Sequence, residues 1–249
     1  MRIIAFYNLK GGVGKTASAV NIAYLAAQSN LRTVLWDLDP QGAASWYLTT
    51  DDTKTYKSKK LLKGKVRAAD LAVETVHDRL TLVPADLSYR KFDTELETLE
   101  GSKRVLRNTL ATFSETHSLA ILDCPPSLSN LAEQMFSMAH AIFVPMLPTH
   151  LSIRSYQQVR QFMKSRKLGH KQLYPFFTMV DLHRKLHRNM VEDPPEDIKR
   201  LLLTYIPYSS VIEKMGENRA PIGTYAASHA AARAYQALWQ DINALILGA

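Results

Sequence analysis

Residues 6–16 read Phe-Tyr-Asn-Leu-Lys-Gly-Gly-Val-Gly-Lys-Thr. An apolar run, Ile3–Tyr7, predicts a strand that enters this loop, and an amphipathic pattern over Lys15–Gln28 predicts a helix that leaves it. Gly11, Gly12 and Gly14 let the backbone bend tightly and turn its N–H groups toward an anion without steric cost. The positive end of the following helix adds to that attraction. In this setting Lys15 reaches the β- and γ-phosphates of a nucleotide, and the Thr16 hydroxyl faces a Mg²⁺ ion. A glycine-rich turn followed by a surface lysine is the simpler alternative, but strand, loop, Gly-Lys-Thr and helix in this order argue against it.

Working outward, apolar runs that end in aspartate appear twice more. Asp-Leu-Asp-Pro-Gln-Gly (residues 37–42) places Asp37 and Asp39 after the predicted strand Thr33–Trp36. Ile-Leu-Asp-Cys-Pro-Pro (residues 121–126) places Asp123 after Leu119–Leu122. Each acid alone also suits a helix cap or a turn. Three of them at strand ends beside a phosphate loop suit metal coordination and water placement, with Asp37 and Asp123 on the metal side and Asp39 positioning the attacking water.

The remaining pattern alternates short apolar runs with amphipathic stretches. Further strands are expected at Leu80–Val83, Ala141–Pro145, Pro175–Val180 and Thr204–Ile206. Further helices are expected at Gly101–Phe113, Leu128–Ala139, Ile153–Lys167 and Ala227–Leu247. The expected fold is a single α/β domain over 1–249, a doubly wound, mostly parallel sheet flanked by helices, with ligands at the carboxyl ends of the strands. Asp51–Lys65 reads as a polar, mobile insertion, and the prolines in Glu192–Glu196 as a helix breaker. One cysteine, Cys124, excludes a disulfide framework and a CxxC metal site, and suits a small core residue. No apolar run is long enough for a bilayer, and the amino-terminal run is too short for a signal peptide, so the expected location is the cytoplasm.

Lys-Gly-Gly-Val-Gly-Lys-Thr, Asp-Leu-Asp-Pro-Gln-Gly and Ile-Leu-Asp-Cys-Pro-Pro, in that order, resemble the ParA/MinD family of deviant Walker-type P-loop ATPases, in particular the short, Soj-like partition ATPases. The resemblance covers nearly the whole chain. It is strongest over residues 2–42 and 119–148, and it includes Ile-Pro-Tyr-Ser at 206–209 and Arg-Ala-Pro-Ile-Gly-Thr-Tyr at 219–225. It implies ATP and Mg²⁺ as cofactors, with phosphate contacts from Lys10 through Ala17, Val13 included, and Lys10, Lys15 and Asp39 as the catalytic residues. It also implies adenine contacts near Met179 and Pro207. Ala17 stands where similar proteins often have threonine, but its backbone N–H still serves the α-phosphate. The resemblance assigns Lys10 a role that Lys15 does not have: in similar proteins this lysine reaches across a nucleotide-sandwich homodimer to the partner's phosphates. It further implies slow hydrolysis stimulated by a ParB-like or cargo-linked adaptor, and nonspecific DNA binding by the ATP dimer.

The chain carries a net charge of +8, concentrated in two runs. Residues 54–67 hold seven Lys or Arg and no acid, while 160–188 hold eight against Asp181. For any single run a solvated surface is the plain reading. Together with the resemblance, Arg160, Lys164, Arg166, Lys167, Lys171, Arg184, Lys185, Arg188, Lys214, Arg219 and Arg233 are candidates for phosphate contacts on a nucleoid. MinD-like relatives bind membranes through a basic amphipathic tail. Here no Lys or Arg follows Arg233, and Ala234, Leu238, Ile242 and Leu245 form a stripe suited to core packing, so no stable membrane binding is expected. No helix-turn-helix precedes the loop, which suits an ATPase-only architecture without operator autoregulation. A metabolic amidoligase or cluster carrier, and a scaffold that hardly turns over, are the other classes that share this loop.

Overall fold

The computed structural model describes residues 1–49, 58–99, 104–169 and 172–248. The first half runs β1 (Arg2–Phe6), α1 (Lys15–Gln28), β2 (Thr33–Asp37), α2 (Ala43–Leu48), α3 (Ser58–Leu62), α4 (Ala68–Leu71), β3 (Val73–Glu74) and β4 (Leu80–Val83). It continues with α5 (Phe92–Glu97), α6 (Val105–Ala111), β5 (Leu119–Asp123), α7 (Asn130–Met138), β6 (Ala141–Met146), α8 (His150–Ser165) and β7 (Leu173–Phe177). The remainder is helical: α9 (Lys185–Glu192), the single turns α10 (Ser210–Glu213), α11 (Met215–Asn218) and α12 (Ile222–Tyr225), and the long α13 (Ala230–Leu247).

The strands form one sheet in the order β3-β4-β2-β5-β1-β6-β7, parallel throughout except for the antiparallel edge pair β3–β4. This is the doubly wound architecture that the sequence pattern predicts. The central strands are buried on both faces, and their side chains divide by the period of two. Ile3, Ala5 and Tyr7 face one apolar layer with α3–α9, while Ile4 and Phe6 face the other with α1, α2 and α11–α13. The register sets Phe6 beside Asp123 and Asp123 beside Asp37, so three strands deliver their last residues to one place.

Several expectations change. The strand expected at Pro175–Val180 runs from Leu173 to Phe177 and stops before Met179, whose left-handed backbone (φ 54°) breaks the extended run. Thr204–Ile206 forms no strand. Leu202 N–H donates to Pro175 O and Ile206 N–H to Phe177 O, but only Val180 and Pro207 make a bridge. Asp51–Lys65 is not polar throughout in its effect: over its described part, Leu61 and Leu62 of α3 are buried, and Ser58 Oγ donates to Glu95 Oε2 at 2.5 Å. Residues 51–57 lie outside the described residues. The helix expected at Gly101–Phe113 spans Val105–Ala111, and residues 101–103 are likewise outside. Helix α9 was not anticipated, although it ends at Glu192 where the paired prolines were expected to end a helix. Helix α13 buries Tyr235, Leu238, Trp239, Ile242 and Ile246 and is a core helix, as the stripe predicts. Among the described residues no helix is long and apolar enough to cross a membrane.

Candidate nucleotide-binding site

The glycine loop joins β1 to α1. Gly12 (φ 69°) and Gly14 (φ 86°) are left-handed, a conformation that a side chain strains at either position. Gly14 is the N-cap of α1 and offers no side-chain cap, so the first N–H groups of the helix remain available to a ligand. Two anchors outside the loop hold its shape. Thr178, just after β7, donates its hydroxyl to Val13 O at 2.9 Å. Asn8, fully buried at the exit of β1, accepts Lys10 N–H on Oδ1 at 3.0 Å and donates from Nδ2 to Pro145 O at 2.7 Å. Ser155 of α8 donates to the same Oδ1 at 3.2 Å. The start of the loop is thereby tied to β6 and α8.

Asn8 has no substitute for these bonds. Asn8→Ala is expected to destabilise the fold by about 2–4 kcal/mol, because it removes three hydrogen bonds and strands buried partners. A urea melt measures this, and an unchanged midpoint would remove Asn8 from its anchoring role.

Lys15 is buried, and its ammonium donates to Lys10 O at 3.1 Å. Burial pulls its pKa below the usual lysine value, while the charges of Asp123 and then Asp39 push it back up. The Lys10 side chain is half-exposed at the mouth of the loop and has no partner among the described residues. Asp123 has no solvent exposure, and neither of its carboxylate oxygens has a partner in hydrogen-bonding geometry. Burial, and then the neighbouring Asp37, raise its pKa well above the carboxylate range; the Thr16 hydroxyl and Lys15 offset part of that rise. An unpartnered carboxylate pair of oxygens facing Thr16 is the kind of donor set that the hydrated shell of a divalent cation satisfies.

Asp37 is also buried, but it is engaged. Its Oδ2 accepts from Ser45 N at 2.8 Å and Ser45 Oγ at 2.7 Å, and its Oδ1 accepts from Asp39 N at 3.3 Å. Burial raises its pKa to about 6 despite the bonds from Ser45. Asp37 therefore fixes the start of α2 and adds negative charge beside Asp123. Asp39 is half-exposed; its Oδ1 accepts Gln41 N at 2.9 Å, and its other oxygen has no partner among the described residues. No group of three or more His, Cys, Asp or Glu suited to a metal occurs among the described residues, so a cation here would rely on Thr16, phosphate oxygens and water, with Asp123 holding it through that water.

These buried carboxyls give the site a pH signature. A carboxyl whose folded pKa is raised adds stability only below its unfolded value, near 3.8 for aspartate, and that stability is lost as pH rises through the folded pKa. Without nucleotide and metal, the protein should therefore lose on the order of 3 kcal/mol between pH 4 and pH 7 through Asp37, and Asp123, raised in the same direction, adds to that loss. Asp123→Asn should raise the melting temperature at pH 7 and flatten its pH dependence. A variant that melts like the wild type across this range would contradict the assigned burial.

Met179 and Pro207, expected near the adenine, lie close in the fold: Met179 sits between Thr178, which bonds the loop at Val13, and Val180, which bridges Pro207. Ala17 packs partly against the layer of α1. The basic candidates do not form one patch. Arg160, Lys164, Arg166 and Lys167, with Arg184, Lys185 and Arg188, belong to the α8–α9 layer; Lys214, Arg219 and Arg233 belong to the opposite layer. Arg166 pairs with Glu133 at 3.5 Å, Arg184 with Asp181 at 3.3 Å, and Arg160 donates to Asp197 O at 3.1 Å. Arg233 donates to Ser228 O. Arg219 stacks over the Trp46 ring, 4.1 Å from its centroid, and donates to Trp46 O and Thr49 O, so it serves as a brace for α2. Lys171 lies outside the described residues. Asn8, Ser45 and Thr178 were not anticipated; the one available signal was a polar residue, Asn8, closing an apolar strand directly before a glycine loop.

The strand–loop–helix with a buried lysine and carboxylates at the ends of adjacent strands defines a P-loop nucleotide-phosphate-binding fold. A family model described as an AAA domain matches residues 1–174. The chain belongs to that family, and within it to the ParA/MinD group of P-loop ATPases. It is 29% identical over 248 residues to the chromosome-partitioning ATPase Soj of Treponema pallidum, covering 98% of this chain and 97% of that one. Among solved structures, cobyrinic acid a,c-diamide synthase from Mycobacterium smegmatis, with a bound ATP analogue and magnesium, is 25% identical with a TM-score of 0.79, covering 98% and 95%. An ATP complex of a point variant of McdA from Cyanothece shares the fold with a TM-score of 0.82 at 19% identity, covering 98% and 96%.

Proposed function

We propose that this chain is a ParA-type ATPase: an ATP- and Mg²⁺-dependent sandwich homodimer that binds DNA without sequence preference. In this reading, slow adaptor-stimulated hydrolysis positions a DNA or protein cargo in the nucleoid-containing cytoplasm. The observation that carries it is the loop with two lysines, one buried against Asp123 and the other unpartnered at the mouth. The Treponema Soj, matched end to end, supports a partitioning role, and the ligands named for the Mycobacterium structure support ATP and Mg²⁺. That a protein named as an amide-forming enzyme shares this fold shows that the loop alone does not set how phosphoryl transfer is used.

In the proposed cycle the α1 N-terminus and the N–H groups of residues 11–17 cradle the phosphates, and Lys15 neutralises the β/γ charge. Thr16 and the unpartnered Asp123 would hold Mg²⁺, which when bound draws charge from the phosphate oxygens. Asp39, with a free oxygen at the rim, orients water for attack. Lys10 completes the partner's site, so charge stabilisation is available only in the dimer, as an arginine finger supplied in trans provides it. Hydrolysis therefore tracks assembly.

Lys10→Ala tests this reading. It should leave ATP affinity of the monomer within about threefold while lowering turnover by about a hundredfold or more, the range of a residue acting in trans on the transition state. Coupled phosphate-release kinetics and light scattering with ATP read both effects. Normal turnover with intact dimers would refute the assignment of Lys10.

A further inference from the structure

The basic run at residues 54–67 has no part in the nucleotide site, and its described part has a structure of its own. Helix α3 and the turn after it place Leu61, Leu62 and Val66 against Val105 of α6, and between them lies a cavity of about 290 Å³ with a mainly apolar lining. Lys63 and Arg67 stand at its edge. Lys59 of α3 lies four residues before Lys63, which follows the helix and pairs with no acid among the described residues, and Arg104 lies one turn before Asn108, which also lines the cavity. On the other flank of α6, a second cavity of about 250 Å³ is lined by Arg104, Arg107 and the buried Gln134. The two cavities share the first turn of α6 as a ridge.

Among the described residues, cations outnumber acids around this ridge. Residues 58–67 and 104–112 contain five and two Lys or Arg respectively, and no Asp or Glu. Of these, only Arg67 makes an ion pair among the described residues, with Asp70 at 2.6 Å. Of the nearby acids of α5, Asp93 accepts Leu131 N and Glu97 accepts Asn130 Nδ2, away from the ridge, while Glu95 accepts Ser58 Oγ at the start of α3 and offsets one of its charges. A solvated lysine face needs no apolar hollow at its centre, and a phosphate backbone has no group to fill one. A hollow with Lys63 on its lining and an excess of cations around it fits an acidic protein segment that inserts an aliphatic side chain, with the buried anchor supplying affinity and the charges steering the approach.

We propose that the α3–α6 ridge is a docking surface for an acidic peptide segment of a partner protein, anchored by an aliphatic residue in the Leu61–Val66–Val105 cavity. This inference stands apart from the nucleotide-site reading, since none of its residues touches the loop.

The test is fluorescence anisotropy on the full chain without nucleotide, using a short labelled peptide in which Glu and Asp flank a Leu pair. The same peptide with Ala in place of Leu, and a random labelled DNA duplex, serve as comparisons. The Leu peptide should bind about tenfold or more tighter than the Ala peptide, one apolar anchor being worth at least that factor. Lys59→Glu/Lys63→Glu should weaken the Leu peptide about tenfold, while Thr109→Trp, which fills the cavity, should remove the difference between Leu and Ala peptides. Thermal melts and basal ATP turnover equal to wild type establish that these variants fold. Equal binding of the Leu and Ala peptides, no binding of either, or a duplex that binds more tightly and loses that binding in the charge-reversal variant would each overturn the proposal.

Discussion

Lys15→Ala is expected to abolish ATP binding at ordinary nucleotide concentrations, lowering affinity by about 30-fold or more. The side chain is the one cation buried in the loop; its pKa is pulled down by burial and held up by Asp123 and Asp39. A bound triphosphate adds more negative charge to a place that already holds Asp37 and Asp123 as lateral neighbours. Without the ammonium, that charge would meet two buried carboxyls with only backbone N–H groups to offset it. Truncating one partner of a buried charge pair costs about 2–5 kcal/mol, which is roughly 30- to several-thousand-fold in affinity. Titration with a fluorescent ATP analogue measures this. Retention of affinity within a few-fold would mean that the helix terminus and glycine amides suffice, and the two-lysine account of the loop would lose its first half.

Asp39→Ala should separate binding from turnover. Asp39 stands half-exposed two residues beyond the buried Asp37, with Gln41 N held by one oxygen and the other free among the described residues. That makes it able to hold a water without being needed for the phosphates. Turnover should fall by about 10²–10⁴-fold, the range of a general acid–base group, with ATP affinity little changed. Its removal also takes one negative charge from Lys15's surroundings, so ATP affinity should hold or rise slightly. Single-turnover kinetics distinguish the two effects; normal hydrolysis in Asp39→Ala would assign the water to another residue. Under the proposed cycle this variant would also stay on DNA, because release follows hydrolysis.

The loop was legible because its chemistry is local: glycine spacing, a lysine at the helix start and aspartates at strand ends are all properties of short stretches. The roles of the aspartates were less so. Asp37, Asp39 and Asp123 look alike as strand-end acids, yet one is bonded to Ser45, one half-exposed and one buried without a partner, and only three-dimensional neighbours decide between these states. The Asn8 anchor spans 137 and 147 residues to Pro145 and Ser155, beyond the reach of any local pattern. The strand expected at Thr204–Ile206 failed because an apolar stretch running beside an edge strand hydrogen-bonds to it at intervals without completing a ladder. Charge counts misled in a similar way: Arg219 belongs to a basic set in the sequence, but its guanidinium lies on Trp46. Conversely, Asp51–Lys65 reads as a mobile insertion, because Leu61 and Leu62 are two apolar residues among lysines and their burial depends on α6.

The central claim is that the second lysine makes DNA binding depend on ATP. Its most direct test is binding of the full chain to a random DNA duplex with ATP, with ADP and without nucleotide, over a salt series, beside Lys10→Ala and anionic vesicles. The account predicts binding only with ATP, an affinity that falls steeply with salt as phosphate-bound counterions are released, and loss of binding in Lys10→Ala. Binding that ignores the nucleotide, or that goes to the vesicles and not the duplex, would contradict it.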